Sequence, residues 1–375
     1  MTRFSFDTLR RYPDAEAANL YAVDATDRLL LREAEAELRS SSCGQLVVVN
    51  DQYGALTLGA AAEYGLTGIR VHQDLLTGEQ ALANNAEHTG LAGSYRSLPL
   101  DADLISGARV VLVQAPKSID ALREIVELVA RHAAEDVTMY VGGRVKHLTR
   151  AVNEVLAESF EQVRASLAAQ KSRVIIGRGK LPITSEPSFP RRRLEPETGL
   201  WVCAYGMAFA GLKLDLGTRR LLTQLDRLPS EPGTAVDLGC GTGILAASIA
   251  RARPALSVIA TDQSAAAVAS AAETMRANGL QDRVSMLRDD AMSTLADGSV
   301  DVILCNPPFH LGNSVHTGAA LKMFRAAGRV LRPGGQLWTV FNSHLAHQPA
   351  LERYVGATRV ADRDPKFTVT VSRRR

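Results

Sequence analysis

The run Val236-Asp237-Leu238-Gly239-Cys240-Gly241-Thr242-Gly243 constrains this chain more than any other stretch. A short apolar segment that ends in glycines reads as a buried parallel strand. Glycine at every second position then lets the backbone turn sharply and come close to a ligand. The helix expected from Ile244 to Arg251 points its N-terminus at the same place. The pattern is not the dinucleotide fingerprint, because the third glycine comes two residues after the second, and no Gly-Lys-Ser/Thr makes it a P-loop. Asp237 at the strand end suits a ligand carrying positive charge and would repel phosphate.

Strands and helices alternate on both sides of this loop. Downstream, strands are expected at 257–261, 284–287, 300–305 and 336–341, with helices at 264–278 and 316–331. Ser264 is the expected N-cap and Gly279 the residue after the C-cap. Pro333-Gly334-Gly335 reads as a helix stop and tight turn. Upstream, strands are expected at 45–50, 108–114 and 137–141, and a helix at 119–131. Repeated βα units imply an α/β fold with mostly parallel sheets covered on both faces. The element order suggests two tandem copies of one fold. In that pairing Val49-Asn50 matches Val236-Asp237, Gln52 and Leu56 stand at Gly239 and Gly243, and Gln114-Ala115-Pro116-Lys117 stands at Asn306-Pro307-Pro308-Phe309.

Four of the fifteen prolines fall between Leu181 and Gly199, around Arg191-Arg192-Arg193. Proline removes a backbone donor and fixes φ, so residues 181–199 are expected to link domains 1–180 and 200–375, with the arginines as a solvated connection. A length of 375 residues suits two domains, possibly three. The composition, 46% apolar and 22% charged, is that of a globular protein. No stretch approaches the ~20 apolar residues of a membrane span, and the N-terminus lacks a signal-peptide core. Cys43, Cys203, Cys240 and Cys305 are scattered. They form no disulfide framework or Cys-based zinc site and fit the cytoplasm. The expected volume of Cys240 and Cys305 beside the loop explains them better than reactivity does. His344 and His347 lack carboxylate company, so no metal is expected. The net charge of +3 neither demands nor forbids a nucleic-acid partner.

Asp237-x-Gly239-x-Gly241-x-Gly243 resembles motif I of the class I S-adenosylmethionine-dependent methyltransferases. The resemblance implies that Asp262, nineteen residues after Gly243 and followed by Gln263, accepts the ribose hydroxyls. It also implies that Asp290 accepts from the adenine amine and that the Ala291 N–H faces the ring. Cys240 belongs to the same cofactor loop.

Asn306-Pro307-Pro308-Phe309 follows the fourth strand of the second half. In open α/β sheets, ligands bind beyond the carboxyl ends of strands. Two prolines fix φ and push Asn306 out of the helical region, giving a stiff loop. The chemistry fits a planar amine, which is a poor nucleophile because its lone pair is delocalised. Accepting its two hydrogens, on the Asn306 oxygen and the Pro307 carbonyl, favours attack on a sulfonium methyl. Phe309 offers a ring for stacking a base. The tetrapeptide does not choose among adenine N6, guanine N2 and protein glutamine.

The tetrapeptide with His310, the duplicated halves and Phe341-Asn342-Ser343-His344-Leu345 resemble the ribosomal RNA guanine-N2 methyltransferases. Asn50 to Leu56, Ala115-Pro116-Lys117 and Pro365-Lys366-Phe367 look closer to the 23S enzyme than to the 16S one. The resemblance implies two Rossmann-like class I domains with mostly parallel seven-stranded sheets, the first degenerate and without cofactor. It implies methylation of a guanine N2 in 23S rRNA, with 16S rRNA or protein glutamine as alternatives. Asp215 and Gly217 are carried over as edging the cofactor pocket, although a helix cap explains them nearly as well. His310 reads as neutral packing or a backbone hydrogen bond, with a base contact as the alternative. Arg144, Lys146, His147, Arg150, Lys171, Arg173, Arg178 and Lys180 are candidates for gripping RNA. The expected assembly is a monomer.

Overall fold

The computed structural model describes residues 4–308 and 314–375. It divides the chain into two compact units, Met1–Phe189 and Pro190–Arg375.

The first unit is built on seven strands: β1 (Leu46–Val49), β2 (Ile69–His72), β3 (Tyr95–Ser97), β4 (Val110–Gln114), β5 (Thr138–Arg144), β6 (Phe160–Ala165) and β7 (Ser172–Lys180). Their order in the sheet is β3-β2-β1-β4-β5-β7-β6. The first five pair in parallel, and β7 runs antiparallel to both β5 and β6. Every residue of β1 and β4 is buried, as helices on both faces require. The helix Ile119–His132 shows how those faces are covered. Ser118 caps it, and Leu122, Ile125, Val126 and Val129 make one buried stripe at helical spacing.

The second unit opens with a two-stranded hairpin, β8 (Arg191–Glu195) and β9 (Leu200–Ala204). Its sheet comprises β10 (Gly233–Leu238), β11 (Leu256–Asp262), β12 (Val284–Arg288), β13 (Val300–Cys305), β14 (Leu331–Asn342), β15 (Thr358–Arg363) and β16 (Phe367–Arg373). The order is β12-β11-β10-β13-β14-β16-β15, with β16 antiparallel to its neighbours. Both sheets therefore carry the same permutation, and the expected duplication is visible in topology.

Three expectations need correction. Residues 181–199 are not wholly a link, because the three arginines lie in β8, paired with β9 within the second unit. Pro333-Gly334-Gly335 does not separate a helix from a distant strand. It lies within β14, where Leu331 faces Val300 and Gln336 faces Val302, so the extra residues bulge out. The third correction concerns how the halves align. Val49 pairs with His72 and Val113, whereas Leu238 pairs with Thr261 and Cys305. Hence Val49 matches Leu238, and Asn50, Gln52 and Gly54 match Gly239, Gly241 and Gly243, two residues away from the alignment read from sequence. Gln114 does match Asn306.

Candidate active site

The loop after β10 holds Gly239, Gly241 and Gly243 at φ +79°, +53° and +76°. L-residues rarely adopt such angles. The three glycines answer to different neighbours. A Cβ on Gly243 would lie 2.8 Å from the Ala271 Cβ and 3.0 Å from its Cα, so this glycine lets the helix Ala265–Ala277 pack. A Cβ on Gly241 would meet nothing within 4 Å, and one on Gly239 only Met323 Cε at 3.4 Å. The space above the first two glycines is the cradle that a bound cofactor would fill.

Asp237 lies beneath this loop. It is 2% exposed, and its Oδ2 accepts from the Ala246 N–H at 2.9 Å. Burial pushes its carboxyl up to about 7. The expected direct contact with a cationic ligand is replaced by a structural task, holding the first turn of the helix Ile244–Ala252 against the strand. Asp262 ends β11 at the rim. Its Oδ2 accepts from Gly241 N–H at 3.1 Å and its Oδ1 from Ser264 N–H at 3.0 Å. Both carboxylate oxygens therefore shape the loop and the turn after the strand. Gln263 is half-buried beside it.

Asp290 follows β12, and its carboxylate is ion-paired with Lys322. The expected adenine acceptor thus already carries a cationic partner. Ala291 turns at φ +52°. Burial raises the Cys240 and Cys305 thiols, so both stay protonated and act by their volume. His347 packs edge-on between Phe324 and Phe341, at 5.4 and 5.3 Å between ring centroids, and burial lowers its pKa. No group of metal-ligating side chains occurs among the described residues.

Asn306 directly follows β13 and brings the site together. Its Nδ2 donates to Asp215 Oδ2 at 2.7 Å and to Thr218 Oγ1 at 3.1 Å. Its Oδ1 is buried and has no hydrogen-bond partner among the described residues. Asp215 is also the N-cap of the helix Leu216–Leu222, and the same Oδ2 accepts from Gly217 and Thr218 N–H. A Cβ on Gly217 would stand 2.8 Å from Asn306 Oδ1. Gly217 is therefore clearance for the amide, and Asp215 its anchor. Sequence reading placed both at the pocket edge and missed Thr218, whose only signal was its spacing three residues after a capping aspartate. Pro307 is buried and Pro308 exposed. Phe309 and His310 lie outside the described residues.

Residues 199–371 match the family model described as Methyltransferase small domain, and residues 1–181 match the RLMG N-terminal domain. The ribosomal RNA large subunit methyltransferase G of Streptomyces avermitilis is 34% identical over 373 residues, covering 96% of this chain and 95% of that protein. The chain belongs to the ribosomal RNA large subunit methyltransferase G family. The family member from Pseudomonas aeruginosa strain UCBPP-PA14 is also 34% identical over 373 residues, covering 98% of this chain and 97% of the relative. Among solved structures, the 16S rRNA N2 methyltransferase RsmC of T. thermophilus, in complex with AdoMet and guanosine, matches with a TM-score of 0.72 at 20% identity. That match covers 94% of this chain and 92% of the other. The duplicated sheet order is thus a tandem class I methyltransferase fold.

Proposed function

We propose that the chain transfers a methyl group from S-adenosylmethionine to the exocyclic N2 amine of a guanine in large-subunit ribosomal RNA. The observation that carries this reading is Asn306. Both donor hydrogens of its amide are committed to Asp215 and Thr218, while its oxygen has no partner among the described residues. An unpaired buried acceptor is costly. The two hydrogens of a planar amine are a fitting complement, shared between Asn306 Oδ1 and the Pro307 carbonyl. Accepting them draws the nitrogen lone pair out of conjugation, and the amine's surplus proton leaves after transfer. The prolines hold both acceptors in fixed directions, so the contribution is one of positioning and electrostatics.

The residues fit the cofactor. Open space over Gly239 and Gly241 admits it, and Asp262 at the rim accepts the ribose hydroxyls, with Cys240, Gln263 and Ala291 around it. S-adenosylmethionine supplies an electrophilic methyl on a sulfonium. The target guanine must be unpaired or flipped for its amine to enter.

Residues 1–180 would support the fold and grip RNA. In the first unit the loop positions matching Gly239 and Gly241 carry side chains, Asn50 and Gln52, where the second unit has bare backbone. Arg178 is paired with Glu37 and Lys180 with Glu135. Arg150 is likewise paired with Glu154, so the RNA grip is assigned to Arg144, Lys146, His147, Lys171 and Arg173. No helix among the described residues is long and apolar enough to cross a membrane. A cytoplasmic monomer is the proposed state.

Large-subunit rather than small-subunit RNA is favoured by the names of the relatives that match over the whole chain. Tritium transfer from labelled S-adenosylmethionine to 23S transcript, 16S transcript or protein tests the reading. Label in N2-methylguanosine of 23S RNA is the expected result. Label only in protein glutamine, or only in 16S RNA, would overturn it.

A further inference from the structure

One oxygen organises the floor of the site. Asp215 Oδ2 accepts three donors, the N–H groups of Gly217 at 2.8 Å and Thr218 at 3.1 Å and the Nδ2 of Asn306 at 2.7 Å. Thr218 Oγ1 takes a second contact from the same Nδ2. An asparagine amide can be turned end for end at almost no cost of its own, so its surroundings decide which end faces where. Here the two side-chain groups next to Nδ2 at the start of the helix Leu216–Leu222, the Asp215 carboxylate and the Thr218 hydroxyl, both accept from it. The reversed amide would set its oxygen against the Asp215 carboxylate. Gly217, lacking a Cβ, lets the helix start come this close.

The first unit repeats the link with different residues. Gln114, which matches Asn306, donates its amide to Asp27 in the helix Ala25–Glu33. Asp24 caps that helix, so Asp27 stands three residues after the cap, where Thr218 stands after Asp215. Tying the fourth strand to the first helix is therefore part of the build of both units. In the second unit the tie also leaves an amide oxygen without a partner among the described residues.

We infer that Asp215, seconded by Thr218, is a positioning residue that fixes the Asn306 amide with its oxygen toward the target amine, and that the Asp215 carboxylate is what requires an amide rather than a carboxylic acid at position 306. The inference rests on the function proposed above and changes the part given to Asp215, from edging the cofactor to orienting the acceptor. Asparagine offers a donor for Asp215 and an acceptor for the substrate in one group. An ionised aspartate at 306 would face Asp215 with no donor at all. A protonated one would regain both, its O–H donating to Asp215 and its carbonyl accepting from the amine. Two carboxylates sharing one site hold such a proton to a higher pH than either would alone.

The test uses the full chain, tritiated S-adenosylmethionine and 23S transcript, with cofactor binding followed by calorimetry and folding by thermal melting. Glycine at an N-cap costs little stability, so Asp215→Gly isolates the side chain. Its kcat should fall about 100-fold, the scale of losing one preorganised hydrogen-bond partner of the reacting group, with cofactor affinity within about threefold. Asp215→Asn, which keeps an acceptor oxygen and a cap, should recover most of that loss. Asn306→Asp should be nearly inactive at pH 8 and gain activity as the pH falls, by about tenfold per unit above the shared proton's pKa. That acid rescue should vanish in the Asn306→Asp, Asp215→Gly double variant, in which the other titrating groups are unchanged.

A folded Asp215→Gly protein with kcat within twofold of wild type would overturn the inference. So would a loss traced entirely to weaker cofactor binding, or an Asn306→Asp profile unaffected by Asp215. Failure of the wild-type chain to label guanine N2 would instead sink the proposed function. The ranking of the same variants on whatever acceptor is labelled would then still decide the role of Asp215.

Discussion

Gln73 occupies in the first unit the position that Asp262 occupies in the second, and each accepts a backbone N–H from the middle of its loop. Gln73 Oε1 takes it from Gln52 at 2.9 Å, and Asp262 Oδ2 from Gly241 at 3.1 Å. Gln73 also returns a bond, donating its Nε2 to the Gln52 carbonyl at 3.1 Å. The loop shape is thus kept in both units, while the charge at the strand end is present in one. Asp262→Ala should weaken S-adenosylmethionine binding by about 10–100-fold, the range for losing hydrogen bonds to a charged group. Gln73→Ala should leave that affinity unchanged and lower only the melting temperature. Calorimetric titration of both variants checks the pair.

Gly243 and Gly241 should separate by phenotype. Gly243→Ala adds a Cβ 2.8 Å from Ala271 at φ +76°, and should cost about 2–4 kcal/mol of stability. Gly54→Ala should do likewise in the first unit, where the added Cβ meets Leu82 Cδ1 at 2.7 Å. Gly241→Ala enters open space, so it should cost about 1 kcal/mol in backbone strain and act mainly on cofactor affinity. Thermal melts with and without S-adenosylmethionine distinguish the two behaviours.

Asp27 is buried, and burial raises its carboxyl to about 8, while an unfolded aspartate titrates near 4. The native state therefore holds a proton that the unfolded state has lost between those values. The stability contributed by the neutral form is full below about pH 4 and declines as the pH rises through about 8. Asp27→Asn keeps the shape and removes the titration. The melting temperature of the variant minus that of wild type should grow from pH 5 to pH 8. A difference constant across that range would show that Asp27 is not held protonated.

Asn278 fastens the β8–β9 hairpin. Its Oδ1 accepts from Trp201 N–H at 3.0 Å and its Nδ2 donates to the Trp201 carbonyl at 2.7 Å. Ser270 and Thr274 on the same helix accept from Tyr205 and Cys203 N–H. Asn278→Ala should cost about 1–2 kcal/mol and speed hydrogen exchange at the Trp201 amide, with Trp201 fluorescence as a second readout.

Much of this architecture is written in the chain. The glycine loop, the strands flanking it, the Ser264 cap and the Asn306 tetrapeptide follow from local pattern, because each is fixed by residues close in sequence. What escaped was fixed at a distance. The halves were misaligned by two residues because Asn50 and Gln52 hold positive φ, +62° and +63°, without being glycine. Only strand register reveals that. The β8–β9 hairpin escaped because Arg191-Arg192-Arg193-Leu194-Glu195 has no apolar alternation. Its partner is a polar stripe, Ser270, Thr274 and Asn278, at four-residue spacing on an alanine-rich helix, and that stripe was visible but unread. The tie between Asn306 and Asp215 spans 91 residues, and no local rule pairs such positions. Asp237 was placed correctly and its task misjudged, since burial beneath the loop depends on how the helix after it packs.

The most direct test is mass-spectrometric mapping of N2-methylguanosine in 23S rRNA from a strain lacking this gene, complemented with wild type or with Asn306→Ala. Wild type should restore one modified guanine. Asn306→Ala, purified and shown to bind S-adenosylmethionine as wild type does, should restore none. A fully modified guanine in the Asn306→Ala strain would contradict the account at its centre.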